Sequence, residues 1–476
     1  MYSLKKLCVA VSWTVLASCG GGSTHNDAGT GAAASGVQCT GSCVNAASFL
    51  TVADTQQIIA QAVAEAQARG LVATVAVVDR VGNVLGVFQM NGASSLMRIS
   101  TESGAQGGLE GIELVPASLG AIAKAVTGAY LSSEGNAFST RTASQIIQEH
   151  FNPGELQKPA GPLFGVQFSQ LACSDFIGEF SSGGPTVPGP KRSPLGLSGD
   201  PGGFPLYKNG TVIGGVGVMA SHNAAEKPLY SIDRDTTDTD NDAEEIIALA
   251  AGFGFGAPSE RRADRITAGG KSLRYSDAST TDVVSDAGQA SFAAINGSAG
   301  ALVAVTGYNS GSIIDGTAFT TAESGIRADT VNYPGLDAFV FVDAGNADRF
   351  PPVAGSALSA AEVKSLMKSA LAVANRSRAQ IRTPLDSQAR VTISVVDTNG
   401  EVLAMARTRD APVFGADVSL QKARTAAFMS SSDAASLLAA VPDAKYLDAS
   451  TATSSFASDI GRYLTNIRLL VGDNQL

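Results

Sequence analysis

A hairpin-like segment occurs twice in this 476-residue chain and limits its possible folds more than any other part of the sequence. Residues 77–85 and 395–403 both read Val-Val-Asp-x-x-Gly-x-Val-Leu, with Asp79 in the first copy and Asp397 in the second. β-Branched residues on both sides of an Asp-x-x-Gly turn predict a strand, a tight turn and a second strand. We therefore expect the same β-hairpin at two places in the chain.

Helical patterns flank both hairpins in the same order. A helix is predicted from Leu50 to Gly70, where apolar residues recur at helical spacing, and its counterpart begins at Leu358. After each hairpin a Lys-Ala pair, at Lys124 and at Lys422, lies in a predicted helix of small residues. Because three elements recur in one order, we interpret the chain as two copies of one mixed α/β (α+β) module.

A glycine-rich block completes the first copy. Residues 200–218 read as a strand, a turn at Asn209-Gly210 and a second strand, and a final helix is predicted over 243–251 with Asp242 as its N-cap. The second copy has no such block. It is therefore degenerate, or the sequence ends within it.

The repeat sets the predicted domain boundaries. Residues 48–255 form the first module and 356–476 the second, incomplete one, while 256–355 read as a β-rich connector or insertion without an assigned function. A hydrophobic fraction of 44% is enough for sizeable cores. The net charge of -10 argues against nucleic acid as a partner, because phosphate binding needs clustered Lys and Arg.

The first 19 residues have the pattern of an export signal. Lys5 and Lys6 precede an apolar stretch, residues 7–16, that is too short to span a bilayer and ends in small residues. Leu16-Ala-Ser-Cys19 is similar to the lipobox of bacterial lipoproteins, which implies lipidation of Cys19 and anchoring to a membrane. An ordinary secretory signal with an incidental cysteine is the alternative.

The predicted location follows from this segment. Residues 20–47 are rich in Gly, Ala, Ser and Thr and read as a flexible tether. We expect a lipid-anchored protein of the cell envelope that faces the periplasm or the exterior, at the outer membrane if the cell is Gram-negative. In that compartment Cys39 and Cys43 could pair, or Cys173 could bridge to the tether.

The repeated segments resemble the GlcG/HbpS-like family, also called the DUF336 or haem-degrading-type domain. The resemblance is carried by the first helix, the Asp79 hairpin, Lys124 and residues 202–217, over 49–255 as a whole and over 358–440 in part. It implies a profilin-like antiparallel sheet flanked by helices, present twice. It also implies binding of haem or a related tetrapyrrole and assembly into homo-oligomers.

Three groups of residues are candidate ligand contacts. Lys124 or its counterpart Lys422 would pair with a ligand carboxylate such as a haem propionate, unless the lysine is solvated or caps the fold. His222, at the end of the glycine-rich strand, would bind iron, unless it is a surface-loop residue. Four glycines would admit a flat ligand close to the backbone, although sheet packing explains them as well: Gly202, Gly203, Gly214 and Gly215.

The remaining motifs favour binding over catalysis. The alternating aspartates between Asp233 and Asp242 lack the glycine and glutamate of an EF-hand, so we interpret them as a solvated acidic loop. The sequence has no nucleophile elbow, phosphate loop or zinc-protease motif. It favours an envelope lipoprotein that binds haem for sensing, storage or delivery. The alternatives are a haem- or iron-dependent redox or haem-degrading enzyme, and an oligomeric structural module without a small-molecule ligand.

Overall fold

The described part of the chain combines helices with antiparallel sheets. It belongs to one compact unit. The structure, a computed structural model, describes residues 48–101, 109–148, 151, 160–180, 187–235 and 238–440, and the backbone of 444–447 and 454–457. The α-helices are α1 (Val52–Ala68), α2 (Ala117–Leu131), α3 (Thr140–Ile146), α4 (Asp175–Glu179), α5 (Ala243–Ala251), α6 (Phe292–Ile295), α7 (Ala360–Arg376), α8 (Gly415–Met429) and α9 (Ala434–Ala440).

Both predicted hairpins are present, as β1 with β2 and as β15 with β16 in the strands given below. Those of the first half are β1 (Val72–Asp79), β2 (Val84–Met90), β3 (Leu96–Ile99), β4 (Val115–Pro116), β5 (Gly203–Lys208), β6 (Thr211–Ser221) and β7 (Leu229–Tyr230). Those that follow are β8 (Thr267–Ala268), β9 (Lys271–Ser272), β10 (Gly300–Leu302), β11 (Ala304–Val305), β12 (Asn309–Ser310), β13 (Ile326–Ala328), β14 (Phe339–Phe341), β15 (Thr392–Val396), β16 (Val402–Arg407), β17 (Ala444–Leu447) and β18 (Ser454–Ala457).

The first sheet has five antiparallel strands in the order β10-β2-β1-β6-β5. Its central strand β1 pairs with β6 along its whole length. Helix α2 covers one face, and α1 and α5 cover the other. Because both faces are covered, β1 and β6 are buried almost throughout, which explains their nearly continuous apolar sequence.

The second sheet has the order β13-β14-β16-β15. Helix α7 packs Val363, Met367 and Leu371 against it, and α8 lies against β15. Leu420 of α8 and Met405 of β16 belong to the hydrophobic core of the first sheet. The core of the first sheet therefore extends into the second repeat, which also has a smaller core of its own between its sheet and α7.

The two hairpins have the same register. Val78 faces Val84 in the first hairpin, and Val396 faces Val402 in the second, each directly after a β-bulge. A bulge at the same position bends both hairpins in the same way. The likeness of the hairpins in sequence is thus a likeness in backbone geometry.

The connector does not stand apart as a separate layer. Its strand β10 extends the first sheet beside β2, and β13 and β14 extend the second sheet beside β16. Strands placed in this way cover backbone edges that would otherwise be open to unwanted pairing. The predicted α+β fold with antiparallel sheets flanked by helices is confirmed. None of the helices in the described ranges has the length and apolarity needed to cross a membrane.

Candidate functional site

Lys124 lies inside the first module. Its ammonium donates to the carbonyl of Pro201 at 2.7 Å and forms ion pairs with Asp200, at 2.6 Å, and with Glu244. The three charged side chains are buried and come from α2, the loop before β5 and α5. Lys124 therefore connects α2, on one face of the sheet, with α5 on the other, which agrees with the alternative that this lysine stabilises the fold. A ligand in solvent does not reach it.

The charges of Lys124, Asp200 and Glu244 depend on one another. Burial alone would lower the pKa of Lys124, but the carboxylates of Asp200 and Glu244 outweigh it and raise that pKa above its ordinary value. Burial raises the pKa of Glu244 to about 8, against the opposing effect of Lys124. Lys124 thus stays charged, and two carboxyl groups compete for its single charge.

Gly203 of β5 and Gly215 of β6 lie directly beneath helix α2. A Cβ atom at Gly215 would be 2.1 Å from the carbonyl oxygen of Ala125, and one at Gly203 would be 2.6 Å from that of Lys124. Only residues without a side chain allow the helix and the sheet to approach so closely. Tight packing explains these glycines, and a flat ligand has no room between them and α2.

Gly202 and Gly214 also have no space for a side chain, because other parts of the first module lie against them. A Cβ atom at Gly202, whose φ is +105°, would be 2.9 Å from the Cβ of Glu244. At Gly214 it would be 2.0 Å from the carbonyl oxygen of Val78. The block therefore serves the core of the first module.

His222 lies in an exposed turn directly after β6. Its side chain is 73% exposed, and its Nδ1 is 2.8 Å from the Oε2 of Glu226. Within the described ranges, His, Cys, Asp and Glu form no group of three or more that could hold a metal ion. The structure thus places His222 at the surface and does not bring it together with Lys124.

Two of the aspartates that precede α5, Asp233 and Asp240, pair with a buried arginine, whereas Asp235 and Asp238 are exposed, as the interpretation of a solvated loop expects. Arg141 is fully buried and forms ion pairs with Asp233 at 3.0 Å, with Asp240, and with Glu245 at 3.1 Å. A buried guanidinium group needs such partners. Two members of the acidic run therefore help to neutralise an arginine that lies far away in the sequence.

A groove lies between helix α8 and a segment of the first module, residues 164–174. Its volume is about 390 Å³. We call it the α8 groove. The lining residues that matter here are Phe164, Val166, Phe168, Cys173, Val418 and Lys422.

Polar contacts fix the two walls of the α8 groove against each other. The guanidinium group of Arg424 donates to both carboxylate oxygens of Asp175, at 2.9 and 2.7 Å, and the hydroxyl of Ser174 donates to Asp417 at 2.7 Å. These hydrogen bonds from Arg424 lower the pKa of Asp175. Because a bidentate pair sets orientation as well as distance, the groove is a preformed feature of the fold.

Lys422 is the exposed counterpart of Lys124. In the first module the loop before β5 and the first turn of α5 cover the lysine of α2 and supply the groups around it. None of the described strands and helices covers α8 in a corresponding way, and Lys422 lines the groove instead. The same sequence position is therefore structural in one repeat and available to a ligand in the other.

The aromatic wall of the groove was not predicted from the sequence. Phe164 is 50% exposed and Phe168 is 61% exposed, and Cys173 is an exposed free thiol. These residues lie outside the repeated pattern, so the repeat gives no signal for them. Two further predictions fall outside the described residues: lipidation of Cys19 and pairing of Cys39 with Cys43. His25 and His150 also lie outside them.

Part of the chain matches a known family. Residues 366–465 match the family model described as haem degrading protein HbpS-like. The match includes the second hairpin and α8, and it extends beyond residue 440, where the resemblance noted in the sequence ended. For the first repeat the resemblance stays a prediction.

Two solved structures are similar to parts of the chain, while a comparison with curated proteins finds no match. One is protein ORFY of Klebsiella pneumoniae, with family model DUF336. It is 19% identical over 43% of this chain and 90% of its own, with a TM-score of 0.24. The other is a complex of PduOC with haem, 16% identical over 44% of this chain and 99% of its own, with a TM-score of 0.23.

Proposed function

We propose that this protein binds haem or a related tetrapyrrole in the α8 groove, for sensing, storage or delivery. The observation that carries the proposal is the position of Lys422. A lysine selected from the sequence as a partner for a ligand carboxylate lines an apolar groove, within the segment that matches the HbpS-like family. The description of that family names haem degradation, so haem is the first ligand to test.

The lining of the groove suits a flat apolar ligand with acidic substituents. The exposed rings of Phe164 and Phe168 offer surfaces for stacking, and Val418 adds an aliphatic contact. Lys422 supplies a cation for a carboxylate at the rim. A volume of about 390 Å³ lies at the lower end of the range for small-molecule sites, so part of the ligand would remain exposed.

The groove also holds a donor for iron. The free thiol of Cys173 is exposed and lines the groove, and cysteine thiolate is one of the side chains that hold haem iron in proteins. Bound haem would supply a redox-active metal centre, while the protein would bind and orient it. Cys173 is thus our candidate for the residue that would hold the iron in this groove, which His222 does not line.

Haem degradation is a second candidate function, favoured by the description of the matched family. The two functions differ in what happens to the ligand after binding. A binder keeps a steady haem spectrum when a reductant is added in air, whereas a degrading enzyme loses the spectrum with time. A structural module without a ligand would bind no tetrapyrrole at all.

We further propose that the protein is held at a membrane of the cell envelope through lipidated Cys19 and assembles into homo-oligomers. Support comes from the sequence: the lipobox-like segment at Leu16–Cys19, and the resemblance to a family whose members associate. Replacing Cys19 by serine should release the protein from the membrane fraction. Retention of Cys19→Ser in that fraction would contradict lipid anchoring at this residue.

The test of haem binding is spectroscopic. Haemin is added to the full chain, and a Soret band that shifts and saturates is expected at micromolar ligand. Cys173→Ser should change the position of that band, because it replaces the proposed iron donor, and His222→Ala should leave it unchanged. Absence of any shift in the unaltered protein would overturn the proposal.

A further inference from the structure

A cluster of buried arginines lies where the two repeats meet. Arg80 follows β1 in the first repeat, and Arg407 ends β16 in the second. Arg382 and Arg409 complete the cluster, and all four side chains are buried. We refer to these residues as the arginine cluster.

The cluster holds more positive than negative charge. Arg80 pairs with Asp410 at 2.6 Å, and Arg382 pairs with the same carboxylate. Arg409 pairs with the second buried carboxylate, Glu134. Four guanidinium groups therefore meet two buried carboxylates, and a third carboxylate that acts on Arg407 and Arg409, Asp337, is paired with Arg390. Such an excess of buried positive charge is costly unless further negative charge is supplied.

Arg407 is the member of the cluster that takes part in no ion pair among the described residues. Its guanidinium group donates to the carbonyl of Ala411. Burial, together with the neighbouring charge of Arg80, lowers the pKa of Arg407 to about 9. The side chain therefore still carries its charge at neutral pH.

Arg80 and Arg407, which both lie near the ring of Phe319, have N–H groups without a hydrogen-bond acceptor among the described residues. Nε and Nη1 of both Arg80 and Arg407 are buried and have no acceptor among the described residues. The Cζ of Arg80 is 3.7 Å from the centroid of Phe319, and that of Arg407 is 5.4 Å from the same centroid. A ring face attracts a cation but does not satisfy its in-plane N–H groups.

We propose that Arg80 and Arg407 together bind a small monovalent anion, with chloride as the probe, at the junction of the two repeats. Such an ion supplies part of the missing negative charge and accepts hydrogen bonds from the unused N–H donors. Both side chains are at most 1% exposed, so a bulky or polymeric anion does not fit. One donor comes from each repeat, so the bound anion joins the repeats. This inference is independent of haem binding.

The test is the dependence of thermal unfolding on chloride. Ionic strength is held constant with gluconate, an anion too large for a buried site, while chloride rises from about 1 to about 100 mM. An ion that binds only the folded protein raises the unfolding midpoint, and we expect an increase of several degrees. Arg407→Met should remove this increase, because it deletes the charge of this side chain and its donors. Arg265→Met, at a side chain that is 65% exposed, should retain it.

Two results would overturn the proposal. One is an unfolding midpoint of the unaltered protein that does not change with chloride, and the other is the same chloride dependence in Arg407→Met. If Arg407→Met does not fold, crystals of the unaltered protein grown in bromide decide the question. An anomalous peak beside Arg80 and Arg407 supports the site, and no peak there rules it out.

Discussion

Asp79 and Asp397 occupy the same position in the two hairpins and make the same long-range contact. Each carboxylate accepts a backbone hydrogen bond from a segment that crosses the end of its hairpin. The donor is Thr317 at 3.0 Å in the first repeat and Ser356 at 2.7 Å in the second. The likeness between the repeats therefore extends to segments that the sequence pattern did not include.

The turn glycines provide a matched pair of stability tests. Gly82 and Gly400 both have a φ of +85°, so alanine at either position costs about 1 kcal/mol in backbone strain. A Cβ at Gly82 would also lie 2.4 Å from the Tyr130 hydroxyl, whereas at Gly400 the nearest atom, in Arg424, is 3.6 Å away. Gly82→Ala should therefore lower the free energy of unfolding, measured with a denaturant, by about 1–3 kcal/mol more than Gly400→Ala does. Equal losses would contradict the packing described for Tyr130.

The two repeat lysines should differ strongly in their effect on stability. Lys124→Met leaves Asp200 and Glu244 buried without their cation, and we expect a loss of about 3–5 kcal/mol in the free energy of unfolding. Lys422→Met changes an exposed side chain and should alter stability by less than about 0.5 kcal/mol. Chemical denaturation measures both variants. A small effect of Lys124→Met would contradict its structural role.

Glu244 should make stability depend on pH. Burial raises its pKa from 4.5 to about 8, so the folded state holds this proton more tightly than the unfolded state. Its contribution to stability is therefore complete below about pH 4.5 and is lost as the pH rises towards 8. Glu244→Gln stays neutral at every pH and should remove this part of the slope. The comparison is the unfolding midpoint of each protein at several pH values within that window.

Exposed Glu401 serves as the control for this prediction. Glu401→Gln should keep the slope of the unaltered protein, because its side chain lies in solvent. If Glu244→Gln kept the same slope as the unaltered protein, the burial of this carboxyl would not be the source of the pH dependence.

The sequence predicted the local elements well because their signals are local. Turn residues and β-branched runs indicated both hairpins, and Asp242 indicated the start of α5. The environment of the lysines could not be predicted in this way. Lys124 and Lys422 have equivalent neighbours in sequence, but distant residues cover only the first of them.

The candidate site depended on contacts that no local pattern contains. The α8 groove is formed by α8 of one repeat and by residues 164–174, which lie between elements of the other. Arg141 likewise meets Asp233 and Glu245 only after folding. Pairings of this kind are set by tertiary packing, so a single sequence does not reveal them.

We expect the α8 groove, and no other surface, to hold the tetrapyrrole. The most direct measurement is the haemin affinity of Lys422→Gln and Phe168→Ala, compared with Lys368→Gln as a control on the exposed side of α7. Loss of a charged partner or of a stacking ring should weaken binding about tenfold, while Lys368→Gln should bind like the unaltered protein. Unchanged affinity in both groove variants would contradict the claim.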